Sequence, residues 1–218
     1  MSIALSIGNN LTTGGVFTAD AVNNTSVTNV TDFASVPAGG VLKLLSTQTA
    51  SASASISFTS GIDSTYDSYV FKFINIHHQT DVSRFTFQVS TNGGSTYGVT
   101  CTNTMFRALH DEADSSTELS YSTGWDLAQS TNFTQISDIQ MGNENDENLC
   151  GYLQIFNPSS STFVKHYISR AIGSSQNSEA IDLYGAGYFN TTSPINAIQF
   201  KADTGNIDDG IIKMYGVV

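Results

Sequence analysis

The stretch Ser68-Tyr-Val-Phe-Lys-Phe-Ile74 decides the fold class. Tyr69, Phe71 and Phe73 alternate with Val70, Lys72 and Ile74, and a period of two sends successive side chains to opposite faces of an extended chain. Apolar residues on both faces mark a central strand. Downstream, Phe85, Phe87 and Val89 alternate with Arg84, Thr86 and Gln88, the pattern of a strand with one buried and one wet face. Asn92-Gly-Gly-Ser95 then offers the positive φ angles of a hairpin loop, and Tyr97 to Thr102 is expected to return as the partner strand. Upstream, Ser51-Ala-Ser-Ala-Ser-Ile-Ser-Phe58 alternates with very small residues, as in a tightly packed or edge strand.

Further strand-like stretches follow at 104–109, 135–141, 149–156, 162–171, 180–188, 195–202 and 211–217, separated by polar turns. No segment carries an amphipathic helical period, and Gly124 to Ser130 offers at most one helical turn. The sequence therefore predicts an all-β protein, an antiparallel β-sandwich of jelly-roll-like form over residues 41–218. Residues 1–40 contain no Lys or Arg and only Asp20 and Asp32 as acids, with weak periodicity. They are expected to form an extended N-terminal arm that docks on a partner. Two or three ordinary strands of the main domain are the alternative. Pro37-Ala-Gly-Gly40 reads as the joint.

The 218 residues include 18 Gly, but also 13 Phe and 9 Tyr, more aromatic mass than a disordered chain carries. Charged residues are only 12% of the chain, so Ser, Thr, Asn and Gln must cover most of the surface, which suits packed assemblies and saccharide contacts. With 19 acidic against 8 basic residues, nothing predicts the basic patch that neutralises phosphates, which argues against nucleic acid as a partner. No apolar run approaches the length of a bilayer span. Met1-Ser-Ile-Ala-Leu-Ser-Ile-Gly8 lacks the features of a signal peptide. Synthesis in a cytoplasm, without membrane insertion, is the expectation. Cys101 and Cys150 lie in strand-like segments and are expected as small buried groups rather than a bridge.

Histidine chemistry has few openings, because the adjacent His77 and His78 must face opposite ways on a strand. His110 precedes Asp111 and Glu112, and a His–carboxylate cluster there competes with a solvated strand end. No Gly-x-Ser-x-Gly elbow or activated-thiol signature is present, and no catalytic residue is assigned. From Ala108 to Val164 there are nine acids and no Lys or Arg. Within that span Gly142-Asn-Glu-Asn-Asp-Glu-Asn148 concentrates hard oxygen ligands, and Glu144, Asp146 and Glu147 are the candidate ligands of a calcium ion, with an acidic solvated turn as the alternative. Asp203 to Gly210 is a second candidate for such a calcium loop and reads more simply as a hairpin loop. Tyr121, Trp125 and Asp126 are the candidate glycan site, a ring to stack on a sugar beside a carboxylate to bond its hydroxyls, unless the single Trp is core.

Two long stretches carry a family likeness. Gly185-Ala-Gly-Tyr-Phe-Asn-Thr-Thr-Ser-Pro-Ile-Asn-Ala-Ile-Gln-Phe-Lys-Ala-Asp-Thr-Gly-Asn-Ile-Asp-Asp-Gly-Ile-Ile-Lys-Met-Tyr-Gly216 resembles the ending of virion proteins from marine tailed phages, cyanophage- and pelagiphage-like. Gly61-Ile-Asp-Ser-Thr-Tyr-Asp-Ser-Tyr-Val-Phe-Lys-Phe-Ile-Asn-Ile76 extends the likeness, which spans roughly residues 40 to 218. The resemblance implies a tail-fibre-like or head-decoration-like component of the particle, and it brings no catalytic residues. The expectation is a non-enzymatic virion structural protein, a tail fibre or similar appendage with host recognition. It would be assembled as a homo-oligomer, a trimer, with other virion proteins and a host-surface glycan as partners. A capsid decoration or cement protein is the alternative within that class. A carbohydrate-binding module is the second class, and a glycan-degrading enzyme, which would need a carboxylate pair such as one involving Glu112 or Glu118, the third.

Overall fold

The computed structural model describes residues 41–137 and 141–218, and every regular element among them is a β-strand. The expected N-terminal arm, residues 1–40, lies outside the described residues. Twelve strands form: β1 (Leu42–Ser53), β2 (Ile56–Phe58), β3 (Ser68–His78), β4 (Phe85–Ser90), β5 (Cys101–Asp111), β6 (Thr117–Tyr121), β7 (Thr134–Gln135), β8 (Leu149–Phe156), β9 (Lys165–Ser174), β10 (Glu179–Phe189), β11 (Ala197–Ala202) and β12 (Ile207–Val217). They make an antiparallel β-sandwich of an eight-stranded sheet, in the order β1-β12-β3-β8-β9-β10-β5-β6, and a four-stranded sheet, β2-β11-β4-β7. Most connections pass from one sheet to the other.

The core lies between the sheets and is built of phenylalanine. Phe200 on β11 stands at its centre, with ring centroids 5.3 Å from Phe73, 5.5 Å from Phe71 and 5.7 Å from Phe85. Phe87 extends the cluster to Tyr167 and Phe189 at 5.2 and 6.0 Å in edge-to-face contacts, a geometry that aligns the positive ring edge with the negative face. The alternation predicted for β3 places Tyr69, Phe71 and Phe73 in this core and Lys72 outside it. As expected of a central strand, β3 has β12 and β8 on its two sides.

Four local expectations are corrected. Gly93 and Gly94 do take positive φ, 70° and 84°, yet Tyr97 to Thr102 does not return beside β4. Both edges of β4 are occupied, by β11 and β7, and the chain instead crosses to the larger sheet and enters β5. The second face of β4 is not wet either, because Thr86 and Gln88 are buried. Thr86 Oγ1 donates to the Lys201 carbonyl at 2.9 Å and the Gln88 amide to the Thr131 carbonyl, so the chain around Thr131 covers that face. Ser51 to Phe58 is two strands rather than one, broken at residues 54 and 55, and each lies at the edge of a different sheet. Asp208 and Asp209 belong to β12 rather than to a loop, in a stretch made irregular at Gly210 (φ 128°), where a Cβ would stand 2.8 Å from the Asn75 carbonyl. The short β6 falls where no strand was expected.

Candidate functional site

Because side chains alternate, each strand of the eight-stranded sheet that sends one set of residues into the core presents the other set outward. The cross-strand register then decides which outward residues meet. One row runs Lys213, Lys72, Tyr152, Arg170, Tyr184, Phe106 and Tyr121, each paired with the next from β12 to β6. Phe106 and Tyr184 stack with centroids 4.8 Å apart and planes 4° from parallel. That separation matches the spacing of neighbouring strands, so the two rings stand side by side across the sheet. On the other side of Tyr184 lies the Arg170 guanidinium, 4.7 Å from its centroid. Arg170 is held there by Asp182, with Nη2 to Oδ2 at 2.6 Å and Nε to Oδ1 at 3.0 Å, and this carboxylate raises the guanidinium pKa above its usual range.

The row is open to solvent: Tyr121 is 51% exposed, Phe106 43% and Tyr152 36%. Ile168 and Ile172 flank it on β9 and are also exposed. A trough of about 230 Å³ lies beside Phe106, Tyr152 and Tyr184, with the small residues Ser169, Gly185 and Ala186 in its lining. A larger one of about 480 Å³ lies farther along β9 and β10, between Ile172, His110, Glu112 and Glu179. The two hollows give the face relief on either side of an aromatic ridge.

The expected glycan trio is only partly assembled. Tyr121 and Asp126 do meet, the phenol donating to Asp126 Oδ2 at 2.9 Å, and that bond raises the phenol pKa. Trp125 stands elsewhere. Its ring lies 5.6 Å from the Arg107 guanidinium, and Arg107 alternates with Phe106, so it faces the side of β5 that also carries Met105 and Leu109. Tyr121 pairs with Phe106 on the opposite side. The tryptophan is half-buried at the sheet edge and is not part of the core cluster.

The acidic loop does not gather its carboxylates. Glu147 is buried, its Oε2 accepting the Glu144 amide at 3.0 Å and lying against Gly142, while Glu144 and Asp146 point to solvent. Glu147 thus closes the turn, and among the described residues no set of three His, Cys, Asp or Glu side chains converges on a metal position. Asp111 likewise caps the β5–β6 turn by accepting the Ser115 and Ser116 amides, each at 2.8 Å. His110 reaches the exposed Asp114 at 3.1 Å and Glu112 is not a hydrogen-bond partner of it. Asp203 ties two turns together, accepting from Ser83 Oγ and the Arg84 amide at 3.2 and 2.8 Å. His77 and His78 do face opposite ways: His77 meets Asp208 at 3.6 Å, whereas His78 is fully buried. Cys101 and Cys150 are both unbridged; Cys101 is buried as expected, whereas Cys150 is only half-buried.

Sequence reading missed Phe106, Tyr152, Arg170 and Tyr184 as neighbours. Each occupies the outward phase of a correctly expected strand, but adjacency across four strands depends on strand order, which the sequence pattern does not carry. Comparison with protein-family models, with curated proteins and with solved structures finds no match, so the functional reading rests on the chain itself.

Proposed function

We propose that this chain is a non-enzymatic structural protein of a tailed-phage virion, carried on a tail fibre or similar appendage and meeting the host surface with the outer face of its eight-stranded sheet. The observation that carries the reading is the exposure of Phe106, Tyr121, Tyr152, Ile168 and Ile172 on one contiguous face. Contiguous exposed apolar groups rimmed by polar ones mark interaction surfaces, since leaving them in water forgoes the free energy of burial. The low charge of the chain, which leaves its surface to Ser, Thr, Asn and Gln, supports a place in a packed particle. Assembly as a homotrimer with other virion proteins is part of the proposal.

Cryo-electron microscopy of intact particles tests it. Density for this sandwich at a fibre or tail tip is the expected result. Density repeated over the capsid lattice would make it a decoration or cement protein instead, and absence from the particle would overturn the reading.

A further inference from the structure

We infer that the outward row around Tyr152 is a binding site for an acidic saccharide, with the Tyr152 ring as its platform, Lys72 and Arg170 on either side and Lys213 beyond. This rests on reading the outer sheet face as a recognition surface and names the ligand class that the face takes.

The argument starts from the chain's few cations. Only eight Lys and Arg residues serve a chain of net charge −11, yet three of them, Lys213, Lys72 and Arg170, share one row across the outer face. Arg170 is held by Asp182, and of the other five cations Lys43 stands exposed on β1 while four are engaged. Arg84 pairs with Asp203 and Arg107 with Glu118, at 3.2 and 2.9 Å. Lys165 is buried and donates to two carbonyls, and Lys201 lies over Phe133 at 4.1 Å.

Lys72 and Lys213 are different. They are direct cross-strand partners, an arrangement in which like charges repel, and among the described residues neither has a carboxylate within ion-pair distance. The Lys72 ammonium lies over the Tyr215 ring, 5.5 Å from its centroid. An acidic protein that places two lysines side by side without a counter-charge has built a local demand for an anion, and the neighbour on the next strand is the exposed ring of Tyr152.

Ring and cations together select the ligand class. A sugar ring can lay its C–H face on Tyr152 while its carboxylate or sulfate reaches Lys72 or Arg170 on the flanking strands, about 5 Å to either side. The trough of about 230 Å³ beside Tyr152 and Tyr184, with Ser169 in its lining, gives the adjoining sugar unit room. A long nucleic acid fits less well, because its run of phosphates would extend past the row into the acidic remainder of the chain, whereas a short acidic oligosaccharide can end at the row.

Titration calorimetry of the full chain decides the matter, with an oligogalacturonate, a sulfated galactan oligomer, the matched neutral galactose oligomer and oligo-dT as probes. The expected result is saturable binding of at least one acidic oligosaccharide that weakens as salt is raised. Lys72→Gln with Lys213→Gln should weaken that binding about tenfold and flatten its salt dependence without lowering the melting temperature. Tyr152→Ala should weaken it to a similar extent, and Tyr152→Phe, which keeps the ring and guards against misfolding of the Ala variant, should retain it. No heat with either acidic oligomer, binding indifferent to the lysine pair, or tighter binding of oligo-dT would each overturn the site. So would self-association abolished by the lysine changes, which would make the face a contact between copies of this chain. The two readings fail separately. Appendage density without saccharide binding sinks the site alone, and saccharide binding by a protein found on the capsid lattice sinks the placement alone.

Discussion

On the inner face of the eight-stranded sheet Phe71, Phe73 and Tyr167 meet rings of the smaller sheet at steep angles, whereas on the outer face Phe106 and Tyr184 lie nearly parallel beside a guanidinium. The strands are shared and the residue types overlap. What differs is the partner: a second sheet on one side, water and cations on the other. The inner rings are locked by close packing from every direction. The outer ones are ordered only by their neighbours in the row. An aromatic side chain on this scaffold is therefore structural or available according to its phase in the strand.

The contrast can be broken most sharply at Phe200. Phe200→Ala should destabilise the sandwich by about 3–5 kcal/mol, from lost burial and a cavity the rigid core cannot fill. A urea denaturation midpoint that hardly moved would mean that the aromatic cluster is not the centre of the core.

Next comes His78, fully buried at the end of β3. Burial pushes its pKa down to about 4 from an ordinary 6.5, against the opposing pull of the Ser83 backbone and Asp203 and with the help of His77. The folded state therefore keeps the ring neutral while the unfolded chain protonates it. The protein should hold its full stability above pH 6.5 and lose about 3 kcal/mol as pH falls from 6.5 to 4. Comparing the pH series of the native chain with His78→Leu measures this, and the same acid slope in both would dismiss His78 as its source.

A smaller effect is expected on the outer face. Phe106→Ala removes a stacked pair from a half-exposed site and should cost about 1 kcal/mol. A loss as large as that at Phe200 would erase the distinction between the faces. The acidic loop should show least of all. With Glu147 turned inward to close the turn, addition of EDTA is expected to leave the melting temperature where it was, and a drop would restore Glu144, Asp146 and Glu147 as calcium ligands.

Legibility in the sequence followed the range of the forces involved. The strands β3, β8 and β10 were visible because Tyr69, Leu153 and Leu183 repeat with the period of the pleat. The hairpin after β4 misled because Asn92-Gly-Gly-Ser95 reports a local reversal but not what lies beside it, and distant residues of β11 had taken that position. Tyr121 was read as part of a surface site and is indeed exposed, yet its neighbour is Phe106 rather than Trp125, since a strand edge placed them on different faces.

By itself the sequence determined the class of the protein: an antiparallel β-sandwich, with its inward and outward residues set by alternation, because a pleated strand obliges side chains to take turns whatever surrounds it. Only the tertiary structure decided that Lys72, Tyr152, Arg170, Tyr184 and Phe106 stand in one row. Cross-strand neighbours are chosen by strand order and register, which depend on how the whole core packs rather than on any local run of residues.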